Sequence, residues 1–539
     1  MMGLMMGRPL LTTDILKHAV RNFRKTEIVT RTVEGPIHRY TIADANTRIT
    51  KLANALKDLG VKKGARIGVI GWNTHRQFEL YYAIGGLGAV LHTVNPRLGP
   101  ENAAFVINHA EDEYLFYDTT FTPLVNALKP GLKSVRHFCA LTDKDHVSDA
   151  GEGALIYEDF IARGAEGFDW PDFDENTAVA MCYTSGTTGD PKGVVYSHRA
   201  LVLQSFACCL PSSLGLHEGD VLLPVVPMFH VNAWNTPYSC LMTGVKQVFP
   251  GPRLDGEGLY ELLDSEKVTY SAGVPTVWLG LLQYLEKSGK KLPYLRMGMS
   301  GGSALPEALI RGFAKYDVEL QQGWGMTEMS PVGTVNSLPP EVKELPLDER
   351  IPYQLKAGRA LPFVDMRIVG EDGNVLPNDG VSDGNLQVRG PWIIGEYYKT
   401  DKPTLTDDGW FDTGDVAIID PDGFMQITDR SKDVIKTGGE WVSSIDIENA
   451  ALLHPGVAQA GVIGVHHPKW QERPLLIVVK KEGQDPTADE IKEFLKPKLD
   501  KIAWPDAVEF IDEIPLGATG KVLKTELRKI FKDYKLPAA

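Results

Sequence analysis

Cysteine is scarce in this chain: Cys139, Cys182, Cys208, Cys209 and Cys240 are the only five in 539 residues. None stands in a CxxC pair, so neither a disulfide framework nor a thiolate zinc site is expected. Cys208 and Cys209 sit together in an apolar run and read as buried thiols. Basic excess is also missing. The formal charge is −14, which excludes a general nucleic-acid or anionic-membrane binder as the default. Long apolar runs are lacking too: the stretch around Leu80 to Leu91 is glycine-rich and too short to cross a bilayer. The opening MMGLMMGRPLL has no basic leader and is broken at Arg8 and Pro9. No repeat or low-complexity tract occurs. These absences predict a reducing, cytoplasmic setting without stable membrane insertion or nucleic-acid partner.

What is present alternates. TIADANTRITKLANALKDLG has helical apolar spacing with Gly60 as a stop, and RIGVIG, HRQFELYYAIGGLG and AVLHTVNP read strand, helix, strand. That is a βαβ unit and predicts an α/β core with parallel sheets. VLLPVVPMF, GEGLYELLDSEK and VTYSAGVP repeat the alternation. After about residue 360 the chain turns rich in Gly and Asp with short β-like runs (MRIVGEDGNVLP, GNLQVRG, GFMQITDR), which predicts antiparallel strands. From about 430 the pattern is that of a compact α+β unit, including a helix in TADEIKEFLKPKL that Thr487 and Glu490 would open as a capping box. The expected architecture is a large multi-subdomain N-terminal domain with parallel sheets, residues 1–428, and a small mobile α+β C-terminal domain, residues 429–539.

The densest chemical signal is YTSGTTGDPKG, residues 183–193. Small residues let a backbone approach an anion, and successive N–H groups and hydroxyls supply donors. A Walker P-loop requires Gly-Lys-Ser/Thr at its end; counted from Gly186, those places hold Pro191, Lys192 and Gly193. A second glycine pair, QQGWGMTE, lacks the third glycine of a dinucleotide fingerprint. The loop has the make-up of a phosphate cradle without being a P-loop, and taken alone each of the two segments also fits a polar, glycine-rich surface turn.

YTSGTTGDPKGVVYSHR, SGGSAL, QGWGMTE, WFDTGD, DRSKDVIKTGGEWVSS and PLGATGK follow one another in that order. Together they resemble the motifs of the adenylate-forming superfamily: acyl-CoA synthetases, luciferases and peptide-synthetase adenylation domains. The resemblance runs from about residue 40 to the end. PMFHVNAW, AGVPTVW and HPKWQERP are most similar to the fatty-acyl-CoA ligase branch, which includes ligases for 3-methylmercaptopropionate.

The resemblance implies an enzyme that joins a small carboxylic acid to ATP at the α-phosphate and passes the acyl group to coenzyme A, with Mg²⁺ as metal and a homodimer as assembly. Thr184, Ser185, Gly186, Thr187, Thr188, Gly189 and Lys192 would wrap the outer phosphates, and Thr184 with Glu328 would lie at Mg²⁺. Gly301, Gly302, Ser303, Gln322, Gly323, Trp324, Gly325, Met326 and Thr327 would form the adenine and α-phosphate walls, with Trp324 stacking on the ring. Asp415 would hold the ribose hydroxyls, and Arg430, Lys432, Lys436 and Trp441 would reach the nucleotide across the domain junction. Lys521 would be the catalytic lysine of the first half-reaction, Asp429 the hinge, and Gly438, Gly439 and Glu440 the passage for coenzyme A. On the acyl side His230 would lie near the carboxylate, with Trp234, Val274, Pro275 and Thr276 lining the channel; His230 and Trp234 share a face if their segment is helical. 3-Methylmercaptopropionate is the expected acid, with medium- or long-chain fatty acid as the alternative. An amino-acid adenylation enzyme would need a buried acid near PMFH, and VNAW offers none. A non-catalytic binding paralogue is opposed by the presence of Lys521, Glu328 and Asp415.

Overall fold

The computed structural model describes residues 1–184, 190–438, 440–517 and 521–536. The expected βαβ unit is there: Arg66–Ile70 and Val90–Thr93 pair in parallel, Arg66 opposite Val90, and the buried helix His75–Gly86 connects them. They lie inside a seven-stranded sheet that ends in the antiparallel pair Ala178–Tyr183 and Gly193–Ser197. Thr41 and Asp44 close a capping box on the helix Ile42–Asp58, and Gly60 just beyond it takes φ +97°.

A second, nine-stranded sheet positions most of the candidate site. Val221–Pro224, Tyr270–Gly273, Met297–Ser300 and Glu319–Gly325 are consecutive parallel neighbours in it. Their carboxyl ends share one edge. The residues that follow are PMFH, VPT, GGS and MTE, each carried out of the sheet at the end where open α/β sheets bind ligands. Apolar strands buried on both faces produce this layout, because each must be covered by helices and each crossover returns to the same edge.

Residues 365–430 form a four-stranded antiparallel sheet, as the Gly- and Asp-rich composition predicts, and its last strand, Met425–Arg430, sets Arg430 opposite Asp415. The chain then enters the small C-terminal domain, whose five-stranded sheet is mainly antiparallel. That domain has a core of its own, built from Ile435, Val442, Ile447, Val462, Leu476, Val478, Ile491 and Leu495. Thr487 and Glu490 make the expected capping box. No described helix is long and apolar enough to cross a membrane.

One local expectation is corrected. Val231, Asn232, Ala233, Trp234 and Asn235 all have φ between +46° and +58°, so this segment is a left-handed turn and the spacing argument for His230 and Trp234 does not apply. A right-handed helix starts only at Thr236, with Pro237 in its first turn. Left-handed backbone costs a non-glycine residue about 1–2 kcal/mol, and tertiary bonds offset that cost. Asn235 Nδ2 donates to Gln204 Oε1 at 2.6 Å and to the Ser330 carbonyl at 2.7 Å, while Thr236 Oγ1 donates to the Ala233 carbonyl at 2.8 Å. Asn235→Ala leaves two buried acceptors unpaired, so the main thermal transition should fall by the equivalent of about 1–3 kcal/mol; an unchanged calorimetric scan would show that the turn does not depend on this clamp.

Candidate active site

The site is built around Gly301 and Gly302, just past the strand Met297–Ser300. A Cβ on Gly301 would lie 2.9 Å from the Trp234 indole and 3.0 Å from the Gly323 carbonyl. Gly302, at φ +86°, would bring a Cβ within 3.4 Å of Val274 Cγ1 and 3.7 Å of Lys521 Cε. Two bare backbone positions therefore let an aromatic wall, an aliphatic wall and a lysine from the other domain converge. Gly325 is under a similar demand, since a Cβ there would lie 1.9 Å from the Pro331 carbonyl.

Asp415 is buried and held at both oxygens. Trp324 Nε1 donates to Oδ2 at 2.9 Å, and Arg430 Nε lies 2.8 Å from Oδ1. The strand register that sets Arg430 opposite Asp415 accounts for the second contact. A carboxylate has about four lone-pair sites, so acceptor capacity remains for a pair of hydroxyls. Trp324 is thus fixed by its edge to the same acid that would hold a ribose. Gln322 lines the cleft but its Oε1 accepts from the Leu305 N–H at 2.8 Å, which makes its side chain a brace for the Gly302–Leu305 loop.

Lys521 reaches this point on a loop closed by the Gly517 N–H, which donates to the Lys521 carbonyl at 2.7 Å. Its amine is lowered to about 8, first by burial and next by Arg430, with Asp415 and Glu328 opposing. His230 is lowered to about 4, by burial first and then by Lys521, so its ring is neutral near pH 7. These shifts place His230, Lys521, Arg430, Asp415 and Glu328 in one electrostatic neighbourhood, and Lys432 also acts on Lys521. The surrounding cleft, about 490 Å³, is lined by Pro275, Thr276, Ser303 and Gly323 among others and opens between the two domains.

On the phosphate side, Thr184 and Lys192 close the glycine loop: the Thr184 N–H donates to the Lys192 carbonyl at 2.9 Å, and the Lys192 N–H to Thr184 Oγ1 at 3.1 Å. Lys192 Nζ stands 4.6 Å from the centre of the Tyr397 ring, and the Tyr397 hydroxyl donates to Glu328 Oε1 at 2.7 Å. Tyr397 is absent from the sequence reading. It sits in GEYYKT, outside every recognised motif, and only the tertiary contact reveals it. Tyr196 lies within the quoted glycine-loop motif, but its role shows only in the fold: its hydroxyl donates to the Thr327 carbonyl at 2.8 Å and steadies the Met326–Glu328 turn. Ser185, Gly186, Thr187, Thr188, Gly189 and Gly439 lie outside the described residues.

Four expected contacts are not brought to this cleft. Lys436, Gly438, Glu440 and Trp441 lie on or beside the hairpin Ile435–Thr437/Glu440–Val442, where Lys436 faces Trp441. Lys436 Nζ pairs instead with Glu371 at 3.1 Å, and a Cβ on Gly438 would strike the Trp470 ring. With the Lys521 loop in the cleft, the hairpin stands elsewhere on the same small domain.

The comparisons with known proteins agree with this geometry. Residues 16–398 match the AMP-binding enzyme family, and residues 446–521 match the AMP-binding enzyme C-terminal domain. The chain is 48% identical to the 3-methylmercaptopropionyl-CoA ligase of Ruegeria lacuscaerulensis, with 99% of each chain covered. It is 47% identical to the long-chain-fatty-acid–CoA ligase of Thermus thermophilus, over 98% of this chain and 97% of that one. Among solved structures, ATP-bound MatB from Rhodopseudomonas palustris superposes with a TM-score of 0.81 at 26% identity, covering 97% of this chain and 100% of that one. The chain belongs to the AMP-binding enzyme family, in its branch of AMP-forming acid–CoA ligases.

Proposed function

We propose that this ligase activates 3-methylmercaptopropionate, with residues 1–428 binding acid and ATP and residues 429–539 turning about Asp429 between two half-reactions. The observation that carries the reading is the entry of Lys521 from the C-terminal domain to Gly302, within the electrostatic reach of Asp415 and Glu328, at a turn that Val274 and, at Gly301, Trp234 also pack against. In the first half-reaction a carboxylate oxygen bonds to the α-phosphorus and the bond to the β-phosphate breaks, releasing pyrophosphate. Two anions must meet, and protonated Lys521 lies where it can bridge them. Neutral His230 offers a ring hydrogen bond at the same place without adding charge. Asp415 accepts from the ribose, and Lys192 with Thr184 holds the departing end.

In the second half-reaction the coenzyme A sulfur attacks the acyl carbonyl and AMP leaves. Lys521 must withdraw for that, and the hairpin Ile435–Thr437/Glu440–Val442 of the same domain would replace it through rotation of the small domain. Glu328 and Thr184 suit Mg²⁺, being hard oxygen donors with one Glu328 oxygen taken by Tyr397. When bound there, the ion would supply charge neutralisation on the outer phosphates. The assignment also carries a cytoplasmic homodimer.

The acid is inferred from the relative that is 48% identical over the full chain and from the bulk of Trp234 across Gly301, which suits a short acyl group. The 47% identity to a long-chain ligase favours a second reading, a medium- or long-chain fatty acid. A coupled pyrophosphate assay from acetate to palmitate, including the methylthio acid, separates them: the expected optimum is the methylthio acid, and an optimum at a long chain would replace the substrate and keep the reaction class.

Lys521→Ala should lower acyl-adenylate formation by about 10²–10³-fold while sparing thioester formation from supplied acyl-adenylate; equal losses in both steps would remove the assigned role. Because the free amine titrates at about 8, its cation is present below that pH and lost above it. The kcat/KM for adenylation should therefore fall as pH rises through about 8, and Lys521→Arg should lose that alkaline limb. A limb that survives in the arginine variant belongs to another group.

A further inference from the structure

Lys524, three residues beyond Lys521, opens the helix Lys524–Ile530. Its side chain is 10% exposed, its Nζ lies 3.1 Å from Glu448 Oε1, and it donates to Ser444 Oγ. Ser444 passes the contact on. Its hydroxyl donates to Asp429 Oδ2 at 2.5 Å, and its N–H donates to the same oxygen at 2.7 Å. The other Asp429 oxygen accepts from the Arg430 N–H at 2.8 Å. A continuous polar line thus runs from the base of the Lys521 loop, through one hydroxyl, to the carboxylate at the domain junction. One turn further along the helix, Arg528 pairs with Asp433 at 2.8 Å, so the short helix grips the junction segment 429–433 at two points.

The loop on the other side of Lys524 is equally tied. The Leu523 N–H donates to the Pro515 carbonyl at 2.8 Å, and Leu516 bridges Val522. A shift of Lys524 therefore moves the base of the loop that carries Lys521. Lys524 is a cation facing Glu448, Asp429 and Asp433, and since Asp433 also pairs with Arg528, an apolar side chain in its place would remove a cation chiefly from Glu448 and Asp429.

We propose that Lys524 is a positioning residue for acyl-adenylate formation: through the Ser444 hydroxyl it fixes the Asp429 carboxylate, and that link holds the Lys521 loop in the cleft. The inference rests on the roles proposed above for Lys521 and Asp429. A purely structural lysine would affect both half-reactions alike. A positioning lysine affects the first, because the second requires the Lys521 loop to be out of the cleft.

The test uses the full chain and its Lys524→Met, Lys524→Arg, Ser444→Ala and Lys521→Ala variants. It measures pyrophosphate exchange with 3-methylmercaptopropionate and thioester formation from that acid's supplied adenylate. Lys524→Met should lose exchange by about 10²-fold, the scale of a displaced catalytic group, and keep the wild-type rate of thioester formation. Lys524→Arg should recover part of the exchange, since its charge still reaches the Ser444 hydroxyl. Ser444→Ala keeps its N–H bond to Asp429 and should show the same split at smaller size; it also serves if Lys524→Met fails to fold. Equal loss in both steps, or full exchange in both Lys524→Met and Ser444→Ala, overturns the proposal. Intact exchange in Lys521→Ala would instead overturn the reading on which it rests.

Discussion

The cleft depends on cations gathered against their own repulsion. Lys521 lies beside Arg430 and Lys432, and its amine is held below its ordinary range first by burial and then by their repulsion. Two carboxylates, Asp415 and Glu328, keep that cluster from flying apart, and each is itself fixed by an aromatic donor, Trp324 and Tyr397. An arrangement of this kind is unfavourable when empty and favourable when anions enter. In a chain whose net charge is −14, it is a local inversion of sign suited to joining a carboxylate to a triphosphate.

The two-domain construction follows from what that inversion must do next. Under the proposed two-step reaction, a cation that bridges acid and α-phosphate would obstruct the thiol that arrives afterwards, which is a reason for carrying it on a separate domain. The small domain has an independent core and a short junction, and Asp429 sits at the junction with both oxygens bonded. One oxygen accepts from the N–H and hydroxyl of Ser444 at the N-terminus of the helix Ser444–Leu452 and the other from the Arg430 N–H, so the carboxylate ties the end of the four-stranded sheet to the small domain. The large domain contributes four parallel strand ends held in one sheet and a strained left-handed turn anchored by the buried Asn235 side chain.

Much of this was legible beforehand because it is written in local spacing. Gly60 marks a helix stop, Thr487 with Glu490 announces a helix start, and RIGVIG with AVLHTV announces paired parallel strands, since each signal rests on short-range spacing. The motif order also carried the family. Tyr397 was not legible, because it acts through a hydroxyl delivered from a distant part of the chain and neither type nor spacing marks it; Tyr196 stands inside the glycine-loop motif, yet nothing in that motif shows that its hydroxyl reaches the Thr327 carbonyl. The turn at Val231–Asn235 was not legible either. Local propensity opposes it, and Gln204 and Ser330, far away in sequence, overrule that propensity.

The sequence alone determined the reaction family, the helix and strand order, and the phosphate loop's failure as a P-loop at Pro191 and Gly193. These depend on residue type and short-range periodicity, which survive in one dimension. The tertiary structure decided which half of the machinery occupies the cleft. Lys521 and Lys436 both stand in motif-bearing segments of the same small domain, yet only Lys521 is brought to Gly302, while Lys436 pairs with Glu371 on the outside. Which of two such segments meets the cleft depends on how the small domain packs against the large one, and no local pattern in the chain records that packing.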